Sequence, residues 1–152
     1  PEDVMCHALA VRKQWLDAEI HPGRAVPQLV HALADAERNV ARSPLDPDAL
    51  WTLAETHLRL ARVQSRTLRD FANHVNSGLL IVDKLLAEFP AHALGFVTKG
   101  NLYLCGAEQQ RTADARRKEA SLASAAFEEA KSLDVQIFPS FEDAYHRARL
   151  LQ

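Results

Sequence analysis

A twelve-residue stretch of this chain recurs at a fixed distance. Ser43-Pro44-Leu45-Asp46-Pro47-Asp48-Ala49-Leu50-Trp51-Thr52-Leu53-Ala54 is echoed by Phe89-Pro90-Ala91-His92-Ala93-Leu94-Gly95-Phe96-Val97-Thr98-Lys99-Gly100. Pro44 and Pro90, Leu50 and Phe96, Ala54 and Gly100, and His57 and Tyr103 each lie 46 residues apart. Further on, Gly78, Val82 and Leu85 match Ala123, Phe127 and Ala130 at an offset of 45, which a one-residue change in the intervening turn explains. A weaker copy begins the chain, with Val4, Ala8 and Val11 standing 46 residues before Leu50, Ala54 and His57. A period of this kind constrains the fold strongly, because each copy must bury its apolar face on its neighbours.

Each copy reads as two helices. Met5, Ala8, Leu9 and Trp15-Leu16 approximate a 3.6-residue pattern that stops at His21-Pro22-Gly23. Leu29-Val30, Leu33 and Val40 resume it before Pro44. In the middle copy Leu50, Leu53, Leu58 and Leu60 mark one helix, and Phe71, Val75, Leu79, Val82 and Leu86 the next. Thr67-Leu68-Arg69-Asp70 has the form of a capping box between them. The third turn is expected near Gln110–Thr112. A closing helix is expected from Ser140, where Ser140-Phe141-Glu142-Asp143 reads as a cap after Pro139. The predicted fold class is therefore all-α, as one domain over 1–152 with repeats at about 1–46, 47–92 and 93–138 and a closing helix at 140–152.

Composition agrees. Five glycines in 152 residues are few for a sheet protein, and helix formers abound. The net charge of −2 provides no field for nucleic acid or a membrane surface. The longest apolar runs, such as Gly78–Val82, are too short to span a bilayer. Two cysteines without a CxxC pair point to a reducing, cytoplasmic setting, with both packed as small buried residues. The chain begins with Pro1 and has no charged-then-apolar leader, which reads as a piece of something longer.

The slots filled by Phe96, Gly100 and Tyr103, then Ala123, Phe127 and Ala130, resemble the tetratricopeptide repeat (TPR) signature of W-x2-L-G-x2-Y followed by A-x3-F, x2-A and Pro. In the middle copy Leu50, Leu53, Ala54 and His57, then Gly78, Val82, Leu85 and Pro90, occupy the same slots. Lys99 replaces a usual Leu, His57 replaces the aromatic, and Pro139 comes late. The period of 46 exceeds the family's 34. Those extra residues lengthen each helix by roughly 9 Å. The resemblance implies a right-handed superhelix of three long hairpins plus a C-terminal capping helix. Segments such as Ala49–Ala61 and Leu85–Ala93 are also similar to the C-terminal region of bacterial serine/threonine protein kinases of the myxobacterial type.

In tetratricopeptide arrays the first helix of each hairpin lines an inner groove. Carried onto this chain, the resemblance implies that Met5, Leu9, Trp51, Thr52, Glu55, Arg59, Val97, Thr98 and Asn101 face a partner. Trp51 is either an exposed anchor there or packs on a neighbouring helix. Asn101 stands without the lysine that completes the family's dicarboxylate clamp. Arg59, Arg62, Arg66 and Arg69, with Arg24, Arg111, Arg116, Arg117 and Lys118, are expected along one edge, and Asp46, Asp48, Glu88 and Asp134 along the other. The cations either attract an acidic partner or offset helix dipoles.

Catalytic signals are sparse. Glu142 with His146, and His31 with Asp35, share helix faces at i,i+4, but neither pair has a third metal ligand close in sequence. No phosphate loop or kinase catalytic motif occurs, and Asp70-Phe71-Ala72 is a chance near-match. The reading is a non-catalytic protein–protein interaction scaffold, the regulatory or docking region of a multidomain kinase, without cofactor or metal. Its partner would be a protein, a peptide or another domain of the same chain. Self-association is expected through an apolar end face at 4–11. The rival reading is a small α-helical metal-binding or enzymatic domain.

Overall fold

The structure, a computed structural model, describes residues 2–63 and 68–152, and the side chains of 7–21, 23–63 and 70–152. Among the described residues the chain is all-helical, with no strand. The helices are α1 (Glu2–Ile20), α2 (Ala25–Arg42), α3 (Pro47–Val63), α4 (Leu68–Glu88), α5 (Ala93–Gln109), α6 (Ala113–Leu133) and α7 (Glu142–Leu150). Short 3-10 segments occur at Pro22–Arg24 and Val135–Ser140. The chain divides into two compact units, Pro1–Ile81 and Val82–Gln152, with the boundary inside α4. No helix is long and apolar enough to cross a membrane, among the described residues.

Local chemistry explains the helix starts. The Asp46 carboxylate accepts a hydrogen bond from the Ala49 amide at 2.8 Å, and Pro47 occupies the first helical position, where its missing N–H costs nothing. His92 does the same for α5, its Nδ1 accepting from Gly95 N at 2.9 Å. Thr112 caps α6 by accepting from Ala115 N at 3.3 Å.

One cap differs from the sequence reading, and another, the Thr67-Leu68-Arg69-Asp70 box, falls partly outside the described residues. Ser140 does not start the last helix: its hydroxyl donates to Ile137 O at 2.6 Å and closes the 3-10 segment. Asp134 starts that segment instead, accepting from Gln136 N at 2.9 Å. The 3-10 segment runs to Ser140, and α7 begins at Glu142 with no side-chain cap.

In the first unit α1, α2 and α3 pack together. Val11, Trp15 and Ala18 of α1 meet Ala25, Leu29, Ala32 and Ala36 of α2 and Leu53 and Leu60 of α3. Small residues on α2 let the helices approach closely.

In the second unit α5 and α6 form the principal pair and α7 closes over them. Gly100 lies beneath the Phe127 ring: a Cβ there would stand 2.6 Å from the ring edge. Phe127 stacks on Phe141 with centroids 5.4 Å apart, and Phe138 meets Phe141 edge-on at 5.3 Å. Tyr145 donates its hydroxyl proton to Glu128 and receives a bond from Arg149 at 2.8 Å. Of the repeated positions, Ala8, Val11, Leu50, Ala54, Val82, Leu85, Ala123, Phe127 and Ala130 are all buried.

Candidate docking site

The first unit contains the most developed functional geometry. It centres on Trp15, which the period-46 pattern does not single out. Its indole N–H donates to Thr56 Oγ1 at 3.0 Å, and that hydroxyl donates to Thr52 O at 2.7 Å. Trp51 stands edge-on to Trp15, with centroids 6.1 Å apart and planes at 83°. Arg12 lies over the Trp51 ring at 4.8 Å, and Arg59 over Trp15 at 4.7 Å. Two indoles thus stand between two guanidiniums.

Carboxylates hold both cations in place. Arg12 bonds Asp48 at 3.1 Å. Arg59 bonds Glu55 at 3.2 Å through Nε and also pairs with Glu19 through Nη1. Glu55 is largely covered, whereas the Glu19 side chain is mostly exposed. Beside this assembly the helix ends leave a cavity of about 290 Å³. Trp15, Ala18, Ala25 and Leu29 give it an apolar base, and Glu19, Arg59, Arg62 and Val63 complete its lining.

The opposite side of α1 is apolar as well. Ala8, Val11, Trp15 and Ala18 point into the core, while Leu9, Leu16 and Ile20 are 54%, 55% and 59% exposed. Their spacing of seven and then four puts the exposed three on a single face.

The groove set from the sequence is brought together only in part. Leu9 is exposed, Trp51 and Glu55 are half-buried, and Arg59 is tied to Glu19 and Glu55. Thr52 and Thr98 are corrections: at 1% and 2% exposure they offer no surface to a partner. Each lies two residues after a wedge position, on roughly the opposite side of its helix, and that side is covered as well. Val97 packs against the second unit's core, and Asn101 bonds Val97 O at 3.1 Å within its own helix. The side chain of Met5 lies outside the described residues, as do those of Cys6, Arg66 and Arg69; Cys105 is buried.

The proposed charged edges are used largely in local structure. Asp46 and Asp134 are caps, Asp48 holds Arg12, and Arg116 bonds Gln110 O at 3.1 Å. Arg24, Arg111, Arg117 and Lys118 are exposed.

The histidines show one contact that the sequence did not suggest. Nδ1 of His57 and Nδ1 of His74 are 3.0 Å apart, joining α3 to α4. Burial and the neighbouring His74 push His57 down to about 4. Burial also lowers His74, against the opposing pull of Asp70. Glu142 and His146 approach to 3.6 Å on α7. Asp35, paired in the sequence with His31, receives a bond from Gln14 at 2.9 Å and another from Arg38. The Gln14 bond and Arg38 hold its carboxyl below the usual range, against burial. Among the described residues no three His, Cys, Asp or Glu side chains gather around a point.

No family model matches this chain, and no curated protein or solved structure matches it either.

Proposed function

We propose that this chain is a tetratricopeptide-like array of helix hairpins whose task is to dock a partner protein. By sequence resemblance its parent would be a multidomain serine/threonine kinase, with this chain as a non-catalytic docking part. The observation that supports docking is the exposed face of α1. Here one side packs in the core while Leu9, Leu16 and Ile20 face solvent. Water around such a stripe is released when an apolar surface covers it, at about 25 cal/mol per Å² of area removed from water. The chemistry fits an amphipathic helix or extended peptide that presents aliphatic side chains.

Peptides displayed on phage and selected against the chain are expected to yield an apolar consensus. Leu16→Glu is expected to lose those peptides, because a carboxylate placed in an apolar contact must be desolvated. Since Leu16 makes no core contribution, helicity should stay unchanged by circular dichroism. The docking reading fails if no consensus emerges, or if the selected peptides bind Leu16→Glu as well as the parent.

A further inference from the structure

The cavity beside Trp15 lies on the other side of α1 from the exposed stripe, and its chemistry is different. Its base is apolar, from Trp15, Ala18, Ala25 and Leu29. Its rim carries the guanidiniums of Arg59 and Arg62 and one carboxylate, Glu19. Arg59 is not a loose surface cation. Glu55 grips its Nε at 3.2 Å and the Trp15 ring lies 4.7 Å beneath it, so the guanidinium plane is fixed before any ligand arrives. Its Nη1 pairs with Glu19, a side chain 61% exposed that sits at the cavity lining. An exposed pair of this kind is worth only about 0.2–1 kcal/mol, so another carboxylate can replace it at little cost. Glu19 in effect occupies the place of a ligand head group on a preorganised arginine.

We propose that this cavity binds a small amphipathic monocarboxylate, its apolar body against Trp15 and Leu29 and its carboxylate on Arg59 in place of Glu19. The volume of about 290 Å³ suits a short aliphatic or aryl chain and lies at the small end of ligand pockets. The head group must be anionic, because it takes the place of the Glu19 carboxylate on Nη1 of Arg59. A neutral or cationic head leaves Arg59 with Glu19 and gains only the apolar contact.

The test uses the whole chain and the indole N–H of Trp15, followed by proton–nitrogen NMR and told apart from Trp51 with Trp51→Phe. Octanoate is expected to shift the Trp15 signal saturably. Octan-1-ol and octylammonium, which gain only the apolar contact, should both bind more weakly. Glu19→Gln removes the internal competitor and should tighten octanoate two- to fivefold, about the worth of an exposed ion pair. Val63→Trp fills the rim from a partly exposed position and should abolish the response with helicity intact. Equal responses to octanoate, octan-1-ol and octylammonium would overturn the proposal. So would an unchanged affinity in Glu19→Gln, or binding that survives Val63→Trp. None of these outcomes bears on the Leu16 face, so the docking reading stands or falls separately.

Discussion

Trp15 donates to Thr56, meets Trp51 edge-on and carries Arg59 on its ring. Thr56→Val keeps the shape of the side chain but removes the acceptor, leaving the buried indole N–H unpaired. The expected loss is about 1–3 kcal/mol, measured by urea unfolding. A second residue-scale expectation concerns Gly100. A Cβ there meets three atoms of the Phe127 ring at under 3 Å, and that ring is fully buried and held by Phe141. Gly100→Ala should therefore cost about 1–3 kcal/mol through overpacking, despite alanine's better helix propensity. Gly23→Ala, with nothing within 4 Å, serves as the control and should leave stability nearly unchanged. The repeat pattern paired Gly100 with Ala54, a small residue in both copies. The structure shows a side chain, Phe127, filling the space.

At the scale of elements, the contact between α3 and α4 through His57 and His74 makes stability depend on pH. His57 is lowered in the folded chain to about 4 from an ordinary 6.5, so the unfolded chain takes up the proton first. Stability is thus intact above about pH 6.5 and falls as the pH drops from there towards 4. Complete titration of His57 costs roughly 3 kcal/mol, and His74 shifts in the same direction. The counter-charge from Asp70 acts on His74 and reduces its share. Urea midpoints between pH 7.5 and 5 should fall steeply in the parent and much less in His57→Phe. A parallel decline in both would show that this pair does not titrate in that window. Helix positions were largely legible in advance, because prolines, glycines and capping side chains act within a turn of themselves. The start of α7 was not, since Ser140 bonds back to Ile137 O and belongs to the preceding 3-10 segment, which the local pattern did not distinguish from a helix cap.

For the whole molecule, the two compact units rest on different kinds of core. The first, Pro1–Ile81, packs alanines of α2 against Trp15 and leucines. The second, Val82–Gln152, is closed by a cluster of Phe127, Phe138, Phe141 and Tyr145. A chain ending at Leu133 lacks three of those four rings and bares Phe127. The loss is about 2 kcal/mol for each buried ring, enough to raise amide hydrogen exchange throughout α5 and α6. Exchange in those helices as slow as in the full chain would show that α7 contributes little to the core.

By itself the sequence determined that the chain is helical, where most helices begin and end, and which repeated positions are buried. Those properties follow from propensity, capping and the 3.6-residue period, which act over a few neighbouring residues. Only the tertiary structure decided that Trp15 reaches Thr56 across 41 residues, that His57 meets His74 across 17, and that Thr52 turns inward. It also decided which side of α1 is covered, because aliphatic residues lie on two sides of that helix and only the packing of α2 and α3 selects Val11, Trp15 and Ala18.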